Sequence, residues 1–108
     1  KQKQRNGVSP NFVHSLDAAA LHKTVTRAHK ELGINDFAMI HDSYGTHAAD
    51  CEDFNKIIRD VFVEMFDVDL LRDWKQQLEA YAGVELPEPP EYGTADISEI
   101  HNSQYFFS

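Results

Sequence analysis

An aspartate flanked by histidine and serine, His41-Asp42-Ser43, stands directly behind the apolar run Phe37-Ala38-Met39-Ile40. The run reads as a buried strand, and a carboxylate just past its end sits on a rigid platform with a short side chain. Holding a hard divalent cation for phosphoryl chemistry needs such an oxygen ligand in a fixed place. Asp42 is therefore the first candidate for a catalytic, metal-binding residue. The same residues also suit an ordinary turn, because Asp and Ser side chains hydrogen-bond to nearby backbone amides. His41 is expected to position Asp42 or to pack beside a substrate, since imidazole is a poor ligand for magnesium. A zinc site would need four ligands at structural spacing; only the pairs His47/Cys51 and His22/His29 offer themselves, so zinc is not expected.

The elements that must position Asp42 are mostly helical. Ser15 is a plausible N-cap, and Leu21, Val25, Ala28 and Leu32 recur at helical spacing up to Gly33, which predicts a helix over 15–32 with one apolar stripe. His14 stands at its entrance. Residues 36–41 read as a strand and 44–47 as its antiparallel return, with His41-Asp42-Ser43 at the turn. Asp50 offers the next N-cap, and Phe54, Ile57, Ile58, Val61, Phe62, Met65 and Phe66 mark a strongly amphipathic helix over 50–66 that should supply most of the core. Leu71, Trp74, Leu78 and Tyr81 mark a further helix ending at Gly83, with Trp74 and Tyr81 expected in a core or interface. Residues 84–93, rich in proline, read as an extended linker. Thr94 or Asp96 could cap a short turn near Ile97–Ile100, and the aromatic tail 104–108 should dock, because burying one phenyl ring stabilises by roughly 2 kcal/mol. The fold class is α+β: mostly helical, with one β-hairpin carrying the His-Asp-Ser turn.

With 108 residues and 42% hydrophobic content, the chain suffices for one core, and no apolar stretch approaches the ~20 residues of a membrane helix. No membrane partner and no signal peptide are expected. The lone Cys51 has no internal disulfide partner, which suits a reducing compartment. The net charge of −8 is unevenly spread: residues 1–30 carry six basic side chains against one acid, a balance of +5, and residues 31–108 carry four against seventeen, −13. Affinity for phosphate backbones comes from Lys and Arg. The basic N-terminal part could face nucleic acid while the acidic remainder forms an outer surface; equally, both could be solvated helix faces.

Two segments together carry a family resemblance. Residues 3–17, with Ser9-Pro10-Asn11-Phe12-Val13-His14-Ser15-Leu16-Asp17, and residues 40–50, with Ile40-His41-Asp42-Ser43-Tyr44-Gly45-Thr46, resemble the C-terminal part of single-subunit DNA-dependent RNA polymerases of the bacteriophage and mitochondrial type. The aromatic ending, Tyr105-Phe106-Phe107-Ser108, is similar too. The resemblance implies that residues 1–108 are a C-terminal palm fragment, that Asp42 is one of two metal-binding catalytic aspartates, and that Mg2+ is the cofactor. It implies that His14 lies beside the primer–template pair near the incoming nucleotide's sugar, and that His41, Phe107 and Ser108 contact nucleic acid or nucleotide. Related bacterial-type DNA polymerases commonly carry Glu after His-Asp, so Ser43 favours RNA synthesis over a DNA polymerase fragment.

The family's other catalytic aspartate and its nucleotide-handling helix have no counterpart here, so the isolated segment is expected to be an inactive piece of a larger enzyme. Its partners would be DNA template, nascent RNA, nucleoside triphosphates and the remainder of the polymerase chain. Its setting would be the cytoplasm of a phage-infected bacterium or, alternatively, a mitochondrion. Two rival readings are a His-Asp metal phosphohydrolase, which would carry that pair on a helix, and a non-enzymatic interaction module built on the acidic helices.

Overall fold

The computed structural model describes residues 1–107. Helix α1 (Gln2–Leu32) leads into an antiparallel hairpin of β1 (Ala38–Ile40) and β2 (Ser43–Gly45), then a 3-10 turn (Ala48–Asp50), α2 (Cys51–Phe66), α3 (Leu70–Ala82) and a short 3-10 helix (Ile97–Asn102). The chain is thus mostly helical with a small two-stranded sheet among the described residues, as its patterning predicts.

The core forms where α2 lies against α1. Phe54, Ile57, Ile58, Val61 and Met65 of α2 are buried, at the positions the amphipathic pattern selects. On α1 the buried residues are Ala20, Thr24 and Ala28, one stripe at four-residue intervals. The predicted stripe of Leu21, Val25, Ala28 and Leu32 is therefore rotated, and Leu32 is exposed. The physical reason is closeness: small side chains let the two helices approach, so that Val61 and Thr24 are both fully buried between them. The Thr24 hydroxyl is satisfied inside its own helix, donating to the Ala20 carbonyl at 2.7 Å. Arg27 adds a polar clamp on the same seam, reaching Glu31 at 3.0 Å and Glu64 of α2 at 2.9 Å.

Helix α1 begins at Gln2, thirteen residues before the expected start, and runs through Pro10. Ser15 is not its cap: the Ser15 hydroxyl donates back to the Phe12 carbonyl at 2.6 Å, as helix-interior serines do. Gly7 and Pro10 weaken helix propensity locally, and residues 2–14 lie largely outside the core, so no apolar periodicity marks them. A helix of this length extends about 46 Å, close to the 51 Å long axis of the molecule. The radius of gyration is 16.8 Å, against roughly 13 Å for a compact domain of this length. The accessible surface is 8395 Å², about 2,300 Å² beyond that of a compact monomer of equal mass.

The strands are shorter than expected and are not buried. Ile40 is 72% exposed and Ala38 is also exposed, while Phe37 and Met39 are half-buried against the core. A hairpin at the edge of so small a chain has only one face to pack, so the apolar run covers one side and leaves the other open. β2 begins at Ser43, not at residue 44, pairing Ile40 with Ser43 and Met39 with Tyr44. Both predicted helix-ending glycines hold: Gly33 and Gly83 take the left-handed conformation, with φ of 67° and 68°.

Helix α3 is capped by Asp69, whose carboxylate accepts from the Arg72 amide at 3.1 Å. Trp74 stacks on Phe12 of α1 at 4.2 Å between ring centroids, whereas Tyr81, expected in a core or interface, is 93% exposed in this chain. The stretch 84–93 has no regular structure but is clasped to α3: Lys75 meets Glu88 at 2.6 Å, and Glu79 accepts from the Leu86 amide at 2.9 Å. Asp96 caps the final 3-10 helix, accepting from the Ser98 amide at 3.0 Å. Beyond it, Phe106 and Phe107 dock on the chain's own core, with Phe62 at 5.2 and 5.5 Å from their ring centroids.

Two outcomes test this packing. Val61→Ala leaves a void in the helix seam with no room to relax, and thermal or denaturant unfolding should show a loss of about 2 kcal/mol; a loss below a few tenths would mean the seam is loose. The Glu88 carboxyl is held below the usual carboxylate range, first by its hydrogen bond from Lys75 and then by that residue's charge. A depressed acid stabilises above its unfolded pKa and loses that contribution as pH falls through the folded one. NMR titration should therefore find Glu88 protonating below the usual carboxylate range, and Lys75→Met should return it to that range.

Candidate active site

The hairpin connection is two residues long, His41 and Asp42, between the paired Ile40 and Ser43. His41 has φ 52°, the one positive value on a non-glycine among the described residues. Tight hairpins demand positive φ at the first turn position, which is why glycine or asparagine usually stands there. A histidine held in that conformation stores about 1–3 kcal/mol of strain. The turn thus keeps a costly residue where a cheaper one would fold better.

Adjacent at the turn, His41 and Asp42 serve different clefts. His41 lines one of about 340 Å³ with His14, Asp17, Ala18, Leu21 and His22 of α1. Asp42 lines another of about 380 Å³, formed by β2, the start of α2 and the tail residue Phe107. The structure therefore brings His14 to His41, and Phe107 to Asp42, with the turn between the two pairs. Ser108 lies outside the described residues. Asp42, His41 and His14 are all exposed.

Two further residues belong to this arrangement. Tyr44 faces Phe54 and Phe107 at 6.1 and 5.5 Å between centroids, bridging the hairpin to α2 and the tail. Its phenol is pushed up, chiefly by burial and then by the negative charges of Asp17 and Asp42, with the Thr24 hydroxyl working in the opposite direction. The strand period of two puts Tyr44 on the Asp42 side, a signal available in the sequence. Asp17 follows His14 by three residues on α1, the spacing of same-face neighbours, and was legible in the same way.

Magnesium can be tested against this set. Asp42 supplies a hard oxygen at an exposed turn, but no group of three or more His, Cys, Asp or Glu side chains converges on a metal position among the described residues. Asp42 fits the ion as one carboxylate of a shared site; one or two carboxylates plus phosphates and water are usual for it. Of the pair His47 and Cys51, the Cys51 thiol is turned to the His47 carbonyl at 3.7 Å, and the His47 ring lies 3.4 Å from Asp36.

Residues 1–83 match the family model of the DNA-dependent RNA polymerases. The chain is 41% identical over 108 residues to DNA-directed RNA polymerase 1A of Nicotiana tabacum, covering 99% of this chain and 68% of that protein. It is 41% identical to the mitochondrial DNA-directed RNA polymerase 1 of Nicotiana sylvestris, of which it spans 11%. It is 38% identical over 111 residues to T7 RNA polymerase of Escherichia phage T7, covering 98% of this chain and 13% of that enzyme. With a family match over most of its length and with relatives of both phage and organellar kinds, the chain belongs to the T7-like single-subunit family of DNA-dependent RNA polymerases.

Proposed function

We propose that residues 1–108 are the C-terminal palm part of a larger DNA-directed RNA polymerase and that Asp42 is a catalytic, metal-binding aspartate of its nucleotidyl-transfer site. The single observation that carries this is the strained two-residue turn, which holds Asp42 and His41 at the junction of two open clefts in a chain of this family. The reaction is attack of the RNA 3′ hydroxyl on the α-phosphate of a nucleoside triphosphate, directed by a DNA template, with pyrophosphate leaving. When bound, a pair of magnesium ions stabilises the attacking and leaving oxygens. Asp42 contributes one carboxylate to their site. His14 and His41, on the neighbouring cleft, orient the primer end and the incoming nucleotide by contact, and Phe107 closes the far wall beside Asp42. Ser108 follows it, and we assign it a nucleotide contact as well.

A chain that supplies one carboxylate does not complete a two-metal site, so the segment alone is inactive. The surface excess over a compact monomer supports the same reading, since a larger body would cover it. The extended stretch 84–93 then joins the helical part to the tail that reaches under the hairpin. Relatives named for mitochondria, chloroplasts and phage T7 all align with this segment. It is machinery common to an infected bacterial cytoplasm and to organelles, not a marker of either. No helix among the described residues is long and apolar enough to cross a membrane.

Elongation on a primed template scaffold by the full-length polymerase tests the assignment. A metal ligand that supplies several kcal/mol of transition-state stabilisation is worth at least about a thousand-fold in rate, so Asp42→Asn should lose that much with scaffold binding retained. Near-normal elongation would return the turn to an ordinary hairpin. His41→Gly separates strain from contact: it should raise stability by about 1 kcal/mol while slowing elongation. A more stable enzyme with unchanged rate would reduce His41 to a turn residue.

A further inference from the structure

Arg59 of α2 makes more contacts to the C-terminal segment than any ordinary surface arginine needs. Its Nη1 donates to the Ile100 and Ser103 carbonyls, each at 2.6 Å, and its Nε donates to Asn55 Oδ1 at 2.7 Å. The guanidinium also lies over the Phe106 ring, 5.8 Å from the centroid. The two carbonyls belong to the end of the last 3-10 helix and the residue after it, where the chain turns towards its aromatic ending. One planar cation thus ties off the helix terminus, sharing the Ile100 carbonyl with the Ser103 amide, and caps the ring that follows.

What that anchor places is close to the chemistry. Phe106 packs edge-on against Phe107 at 5.1 Å, Phe107 against Tyr44 at 5.5 Å, and Tyr44 stands two residues from Asp42 on the hairpin. Phe107 lines the Asp42 cleft directly. The hairpin itself is short and open on one face, so its position depends on what packs beneath it.

We infer that Arg59 is a positioning residue for Asp42: by fixing residues 100–106 it seats Phe107 under Tyr44 and holds the catalytic turn in place. This rests on the assignment of Asp42 above. Arg59 touches neither substrate nor metal and acts through the tail alone. Lysine is a poor replacement, because a point charge cannot serve two carbonyls, an amide oxygen and a ring face together.

The test uses the full-length polymerase. Arg59→Met should lower the elongation rate constant by about ten-fold while scaffold affinity stays within about two-fold, and it should raise the magnesium concentration for half-maximal rate. Hydrogen exchange should quicken in residues 97–107 and in the hairpin 38–45 of the same variant, a change independent of activity. Because Arg59 works through Phe107, the Arg59→Met/Phe107→Ala double variant should be no slower than Phe107→Ala alone. Multiplying effects, unchanged exchange in the hairpin or a wild-type rate would each overturn the inference. If Arg59→Met fails to fold, Phe106→Ala removes the ring under the guanidinium and must show the same non-additivity with Phe107→Ala. Asp42→Asn run alongside separates the two readings: its inactivity with a normal Arg59→Met enzyme defeats this inference only, whereas an active Asp42→Asn enzyme defeats the site assignment.

Discussion

The close approach of α1 and α2 is the constraint on which the rest depends. Val61 and Thr24 are fully buried between the two helices, and Ala20 and Ala28 leave the room for it. Interiors packed at crystal-like density do not forgive an added methylene, so this seam fixes the distance and rotation of α2 relative to α1. The hairpin and the aromatic tail are hung on α2. Its Phe54 meets Phe37 and Tyr44 of the hairpin at 5.9 and 6.1 Å, and its Phe62 meets both tail rings. A shift of α2 would move the turn and the tail together, which makes the helix a common reference for the residues around Asp42.

Charge reinforces the seam and then divides the surface. Arg27 faces Glu31, Glu64 and, at 4.0 Å, Asp60; Asp60 in turn lies 3.5 Å from His101 of the final 3-10 helix. These pairs are half-exposed, so each contributes modestly, and their value lies in fixing which faces meet. Arg27 is thereby withdrawn from any role on the outer face of α1. Lys1, Lys3, Arg5, Lys23 and Lys30 remain exposed on that helix. The positive N-terminal third is therefore a real surface property of α1, while part of the acidic excess is used along the edge of the helix seam to hold that helix down.

Legibility in the sequence followed burial. α2 was readable residue by residue because a strongly two-faced helix has only one way to bury Phe54, Ile57, Ile58, Val61 and Met65. Gly33 and Gly83 were readable because the left-handed conformation suits glycine. The first half of α1 was not, because Gln2–His14 buries little and Ser15 offered itself as an N-cap. The rotated stripe on α1 was hidden by the assumption that larger apolar residues mark the inner face; here the inner face needs Ala and Thr. Asp42 was singled out by its neighbours, but which cleft it serves depends on the sign of φ at His41, and no composition rule supplies that. The role of Arg59 carried no sequence signal, since the tail groups it holds are backbone carbonyls more than forty residues away.

Placing the carboxylate at an exposed turn has an energetic logic. A buried, unpaired Asp would cost the fold several kcal/mol or lose its charge. Left exposed at the tip of a hairpin, Asp42 stays solvated, and the fold carries no desolvation penalty for it. The cost moves instead to orientation: a two-residue turn with a short pair of strands is a weak support on its own. The left-handed His41, the Tyr44–Phe107 contact and the tail beneath it answer that weakness from three sides, one by fixing the backbone and two by packing. The conformational cost falls on the residues around the aspartate, His41 first, which leaves Asp42 itself without a positive φ.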